Sequence, residues 1–170
     1  MSKRKILVLI DVQNDYMKDA PNNYINKLSD EVNSLSEGDE LYIVSETHFE
    51  DEGISRCIWI SEGWKTPRLI QDNTPDYISP INLEKSTSAF LYWDTCLSDF
   101  LVNDADKFEV NICGMNLSTS ILTNAIMIKE YYPEVDVNVI MNLCPADKDT
   151  KNIISKVLTG CGIRVCTTSD

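Results

Sequence analysis

The stretch Lys5-Ile6-Leu7-Val8-Leu9-Ile10-Asp11-Val12 (KILVLIDV) decides the fold. An unbroken apolar run closed by a carboxylate is what a strand buried on both faces looks like, and parallel sheets are built from such strands. Lys5 to Val12 is therefore predicted as a buried parallel strand. Downstream, Asn23 to Ser36 places Ile25, Leu28, Val32 and Leu35 at spacings of three and four, an amphipathic helix. Glu40 to Ser45 (ELYIVS) is predicted as a second strand. Thr47 to Asp76 has no period, because Gly53, Gly63, Pro67 and Pro75 interrupt it. Leu91 to Val102 is helical by pattern, and Phe108 to Cys113 (FEVNIC) is a strand closed by Gly114. Thr119 to Tyr132 is an apolar helix stopped by Pro133. Val135 to Met141 is a strand, Thr150 to Leu158 a helix ending near Gly160, and Ile163 to Cys166 a last short strand. Strands alternating with helices along the whole chain imply βαβ units, hence an α/β fold with helices on both faces of a parallel sheet. No linker, repeat or low-complexity tract divides residues 1–170, so one domain is expected.

The charge balance narrows the partners. A formal net charge of -12 repels phosphates, which argues against nucleic acid and anionic membranes as partners. No apolar stretch approaches the length of a membrane span, and the run after Lys3, Arg4 and Lys5 is too short for a signal peptide. A soluble, cytoplasmic chain with a small-molecule ligand is the expectation. The 6 cysteines are widely spaced in or beside apolar runs, which favours free thiols over disulfides. With His48 the one histidine and no CxxC pair, a structural zinc site is not expected.

In a parallel α/β sheet the functional crevice lies beyond the carboxyl ends of the strands. Two residues there, Asp11 and Ser120, could carry chemistry, and so could Lys85, in a short polar segment before an apolar helix. Asp11 would place a carboxylate in a partly dry crevice, where desolvation makes it a usable base; strand-end aspartates equally cap turns. Lys85, in Glu84-Lys85-Ser86-Thr87-Ser88-Ala89-Phe90, taken alone reads as a solvated charge. Ser120 enters a helix through Gly114-Met115-Asn116-Leu117-Ser118-Thr119, where N–H groups could stabilise an anion; the other reading has Ser118 or Thr119 capping the helix with Ser120 a bystander.

Together these segments resemble the isochorismatase-like hydrolases, in particular the nicotinamidase-like branch. Asp11-Val12-Gln13-Asn14-Asp15-Tyr16 is similar to the family's D-x-Q-x-D-aromatic opening. Glu46-Thr47-His48 resembles its D-T-H segment, and Cys57 to Trp64 (CIWISEGW) its C-I-x-G-T-x-G-W stretch. Glu84 to Phe90 resembles the lysine motif E-K-x-x-x-S/G-F, and Gly114 to Ala125 (GMNLSTSILTNA) the nucleophile motif G-x-x-T-D-x-C-V-x-x-N-A. Leu143-Cys144-Pro145-Ala146 is similar to its C-A-G segment. The resemblance implies a three-layer α/β/α fold with a six-stranded parallel sheet, assembled as a homo-dimer or tetramer. It implies hydrolysis of small amides by a catalytic Asp, Lys and Cys, carried over to Asp11, Lys85 and the position of Ser120. Backbone N–H groups of Thr119 and Ser120 would form the oxyanion hole, and Tyr16, Trp64 and Phe90 would line the substrate pocket.

Two departures matter. A thiol beside a lysine and a helix N-terminus ionises readily, whereas a serine hydroxyl does not, so acyl transfer by Ser120 is expected to be much reduced or absent. Three accounts fit the serine: a Cys→Ser replacement, a relative that binds a metabolite without catalysis, and a metal-free isochorismatase-type ether hydrolase using Asp11. The second departure is the divalent metal (zinc, iron or manganese) that nicotinamidases hold. Glu46 and His48 are weak candidate ligands, but Arg56 stands where a further histidine would be, and its charge opposes a cation. Relatives acting on carbamoyl or ureido groups do without the metal, so no cofactor is expected.

Overall fold

The computed structural model describes residues 3–86, 97 and 107–168 of the chain. Its strands are β1 (Arg4–Ile10), β2 (Glu40–Glu46), β3 (Ile81–Lys85), β4 (Phe108–Gly114), β5 (Asp136–Ile140) and β6 (Arg164–Cys166). They form one six-stranded, all-parallel sheet in the order β3-β2-β1-β4-β5-β6. β1 lies inside the sheet, Ile6 to Ile10 pairing with Glu40 to Val44 on one side and Val110 to Gly114 on the other. All five of those β1 side chains are fully buried, each worth about 1.5–3 kcal/mol of apolar transfer. The apolar run is thus the signature of its place in the middle.

The chain steps outward from β1 to β3, returns to β4, and steps outward again to β6. Crossovers of a single hand then place the connecting helices on opposite faces. After the one-turn α1 (Asn14–Met17), one set is α2 (Tyr24–Asn33) and α3 (Arg68–Asp72), which touch each other; the other is α4 (Leu122–Tyr131) and α5 (Lys148–Gly160), likewise in contact. Leu28 and Val32 of α2 are buried as the helical spacing predicts, and Leu35 is buried just beyond its end. α5 starts two residues before the predicted Thr150, because Asp147 caps it by accepting from the Thr150 amide at 2.9 Å.

Three local readings of the sequence are corrected. The first strand ends at Ile10 and not at Val12: Asp11 turns the chain in the left-handed region, at φ 55°. β3 had no strand signature, because it is an edge strand with Ile81, Asn82 and Glu84 exposed and only Leu83 and Lys85 buried. The helix predicted to start at Thr119 opens earlier and wider, as a π-turn over Leu117–Ile121 in which the Ile121 amide reaches back to the Asn116 carbonyl. The predicted helix Leu91 to Val102 and Phe90 lie outside the described residues. No helix among the described residues is long and apolar enough to cross a membrane. Cys57, Cys113 and Cys144 are buried free thiols, while Cys166 is half-buried and Cys161 exposed.

Candidate active site

β1 and β4 flank the point where the strand order reverses, so a crevice opens at their carboxyl ends. Asp11 follows β1, Ser120 lies in the π-turn after β4, and Lys85 is the last residue of β3. Their approach depends on a tight joint. Gly114 closes β4 at φ 133°, and a Cβ there would come 2.0 Å from the Ile10 carbonyl oxygen, so no other residue fits. Just beyond, the Met115 amide donates to that same oxygen at 2.9 Å. Left-handed Asn116 (φ 60°) then turns the chain into the π-turn and sends its side-chain amide to Asp11 Oδ2 at 2.9 Å.

The structure brings the three predicted residues together. Lys85 Nζ lies 2.9 Å from Asp11 Oδ1 and donates to Ser120 Oγ at 3.3 Å. The side chains of Asp11 and Lys85 are 0% and 1% exposed, so the lysine is no solvated charge. Ser120 is buried, whereas Ser118 and Thr119 are exposed, and neither caps the helix. The Ser120 carbonyl accepts from Asn124 at 2.8 Å, which ties the turn to α4. Of the two predicted oxyanion donors, the Thr119 amide already donates to the Asn116 carbonyl at 3.1 Å. The left-handed backbone of Asp11 costs on the order of 1–3 kcal/mol, strain of a kind that concentrates at functional sites.

Beside this group lies a second one. Glu46, the last residue of β2, places Oε2 3.7 Å from Lys85 Nζ, and accepts there from the Tyr16 hydroxyl at 2.6 Å. Its Oε1 meets His48 Nε2 at 2.6 Å, and His48 Nδ1 meets Glu52 Oε2 at 2.9 Å. Both contacts of the ring are favourable together only if both nitrogens donate, which describes an imidazolium. Burial lowers the His48 pKa, but the hydrogen bonds to Glu46 and Glu52 outweigh it and the net shift is upward. For Glu46 burial acts upward, and the Tyr16 and His48 hydrogen bonds with the Lys85 charge turn the net shift downward. The Tyr16 phenol is pushed well above its ordinary value, by burial first and then by Glu46.

This arrangement does not fit a divalent metal. Both His48 nitrogens and both Glu46 oxygens are engaged, an ammonium stands 3.7 Å from Glu46, and the Arg56 guanidinium sits 4.9 Å from the Tyr16 ring centre. Among the described residues no group of three or more His, Cys, Asp or Glu side chains is arranged to hold a metal.

The remaining predicted residues are placed less centrally. Tyr16 is buried, its hydroxyl committed to Glu46. Trp64 donates from its indole to Thr47 Oγ1 at 2.9 Å and lines a cavity of about 630 Å³ with Ser45, Gln71, Asp76 and Asn82. Asp11, Lys85 and Ser120 do not line that cavity. Sequence reasoning gave Gln13, Asp15, Asn116 and Glu52 no role. Gln13 clamps the end of β2: its amide nitrogen donates to the Glu46 and Trp64 carbonyls (2.8 and 2.9 Å), and its oxygen accepts from the Glu46 amide at 2.8 Å. Asp15 holds the Cys57 amide at 2.8 Å. Gln13 and Asp15 stood in the quoted opening motif, but their partners are distant in sequence. Burial pushes the Cys57 and Cys144 thiols up to about 12, and the Cys113 thiol also far up, so none of these is a ready nucleophile.

No family model and no curated protein matches the sequence. Solved structures do match the fold. The zinc complex of pyrazinamidase from Pyrococcus horikoshii superposes with TM-score 0.72 at 16% identity, covering 96% of this chain and 99% of that one. Yeast nicotinamidase Pnc1p bound to nicotinaldehyde gives 0.70 at 17%, covering 96% and 100%. N-carbamoylsarcosine amidase from Thermoplasma acidophilum gives 0.66 at 17%, covering 99% and 98%. The chain therefore has the fold of the isochorismatase-like hydrolases over nearly its whole length.

Proposed function

We propose that this chain is a small-molecule hydrolase of the amidohydrolase kind, with its active site at Asp11, Lys85 and Ser120. The observation that carries the reading is the buried Lys85 ammonium held between the Asp11 carboxylate (2.9 Å) and the Ser120 hydroxyl (3.3 Å) at converging strand ends. Amidases among the neighbours of like fold support it. In the reaction, the group at position 120 would hand its proton to Asp11 as it attacks the substrate carbonyl carbon. Asp11 would pass that proton to the departing nitrogen, and water would then release the acyl group from position 120. Lys85 would hold both groups and stabilise negative charge. With serine at that position the first step is slow, because the one described contact of the Ser120 hydroxyl oxygen is with a cation and not a base. That same contact favours a second reading, in which the site binds a metabolite without acyl transfer, or Asp11 alone acts as an acid on a vinyl ether. The engaged Glu46 and His48 point to metal-free carbamoyl or ureido substrates before pyridine amides.

Ser120→Cys is expected to raise ammonia release from at least one compound in a panel of carbamoyl, ureido, nicotinamide and pyrazinamide substrates by roughly 100-fold or more. Asp11→Ala in that background should remove the gain. If the cysteine form is as inactive as the serine form on the whole panel, while a compound still raises the melting temperature, the binding reading replaces the amidase.

A further inference from the structure

An ammonium has three protons to donate, and Lys85 has three oxygens around it: Asp11 Oδ1 at 2.9 Å, Ser120 Oγ at 3.3 Å and Glu46 Oε2 at 3.7 Å. The third is beyond ordinary hydrogen-bond length, so Glu46 acts on the lysine through charge, in a region dry enough for charge to count. Glu46 is itself held from every side: Tyr16 and His48 take its two oxygens, and Gln13 takes its backbone amide and carbonyl. Following the contacts outward, the signs alternate: Asp11, Lys85, Glu46, His48, Glu52. Side-chain exposure rises along the same path, from 0% at Asp11 through 1% at Lys85 and 18% at Glu46, dips to 8% at His48, and reaches 38% at Glu52. With Asp11 alone as its partner, the lysine would be free to settle wholly on that carboxylate and leave Ser120. A second carboxylate 3.7 Å away opposes that collapse.

We infer that Glu46 is a positioning residue, a second counter-ion that holds the Lys85 ammonium where it meets both Asp11 and Ser120. Its bearing on turnover rests on the amidase reading; its effect on Lys85 does not. Tyr16, His48 and Gln13 hold Glu46 in turn, and the alternating chain ties the site to the short helical turn Glu50–Glu52.

The experiment has two arms. The first needs no activity: a double-mutant cycle of Glu46→Gln and Lys85→Met, read as the unfolding equilibrium constant in urea. The expected coupling is roughly 3- to 100-fold, the range for residues in direct charge contact. Additivity within about twofold overturns the inference. If Lys85→Met does not fold, Lys85→Gln takes its place, and if Glu46→Gln does not fold, Glu46→Ala does. In the second arm, within the Ser120→Cys background, Glu46→Gln should lower kcat about tenfold with KM little changed, and Glu46→Asp should restore part of the loss. A role confined to folding would lower the active fraction without coupling to Lys85 in the first arm. Coupling in a protein inactive on the whole substrate panel leaves the positioning role standing and removes the amidase. Activity without coupling and without a kcat effect does the reverse.

Discussion

Asp11 and Glu46 are carboxylates at the carboxyl ends of two neighbouring strands, and both face Lys85, yet the molecule treats them differently. Asp11 is fully buried, sits on left-handed backbone, and is held by one cation and the amide of Asn116. Glu46 keeps regular strand backbone, is partly exposed, and shares its charge among a phenol, an imidazole and an ammonium. The first has one strong partner and a strained, dry setting, which suits a group that must give and take a proton. The second has its charge spread and its geometry overdetermined, which suits a support. Side-chain type alone does not separate the two roles; desolvation and the number of partners do.

That contrast can be broken in order of expected effect. Lys85→Met leaves the Asp11 charge buried without its cation, and breaking a buried pair from one side costs about 3–5 kcal/mol. A fall of roughly 10 °C in melting temperature is expected, and a loss of only one or two degrees would show that Asp11 does not depend on the pair.

A smaller effect is expected at the Glu46 end, and it carries a pH signature. His48 has a folded pKa above its ordinary 6.5, so its contribution is fully present below about pH 6.5 and is lost as pH rises through the higher folded value. Glu46 has a folded pKa below its ordinary 4.5, so its contribution is present above pH 4.5 and is lost as pH falls through the lower value. The melting temperature should therefore decline on both sides of a window between about pH 4.5 and 6.5. His48→Gln should flatten the alkaline decline. An unchanged alkaline limb would mean that His48 is not the charged link between the two glutamates.

The least effect belongs to Arg56, which lies over the Tyr16 ring from an exposed position. Arg56→Ala should cost about 0.5–1 kcal/mol in a urea titration, the usual size of an exposed cation–π contact. A cost several times larger would show that Arg56 supports the Tyr16–Glu46 hydrogen bond and would bring it into the Glu46 group.

Much of this was legible in the sequence. The apolar run of β1, the spacing of α2 and the order of strands and helices are local patterns, set by which faces of each element are buried. The positions of Asp11 and Ser120 were legible as well, because chain direction in a parallel sheet delivers strand ends to one rim, whereas Lys85 stood out only through the resemblance of its motif. The edge strand β3 escaped, since a half-exposed strand of Ile81, Asn82 and Glu84 has no apolar run to betray it. Glu46 and His48 stood out as possible metal ligands, whereas the fold pairs them with each other and sets Glu46 beside Lys85.

By itself, then, the sequence determined the layered α/β architecture and the places of Asp11 and Ser120 at the rim, because burial periodicity and chain direction are written residue by residue. Only the tertiary structure decided that Lys85 is buried between two carboxylates, that Asn116 steadies Asp11, and that His48 bridges Glu46 and Glu52. Those facts join residues far apart in the chain, and their distances follow from strand order, the left-handed turn at Asp11 and the close approach that Gly114 allows.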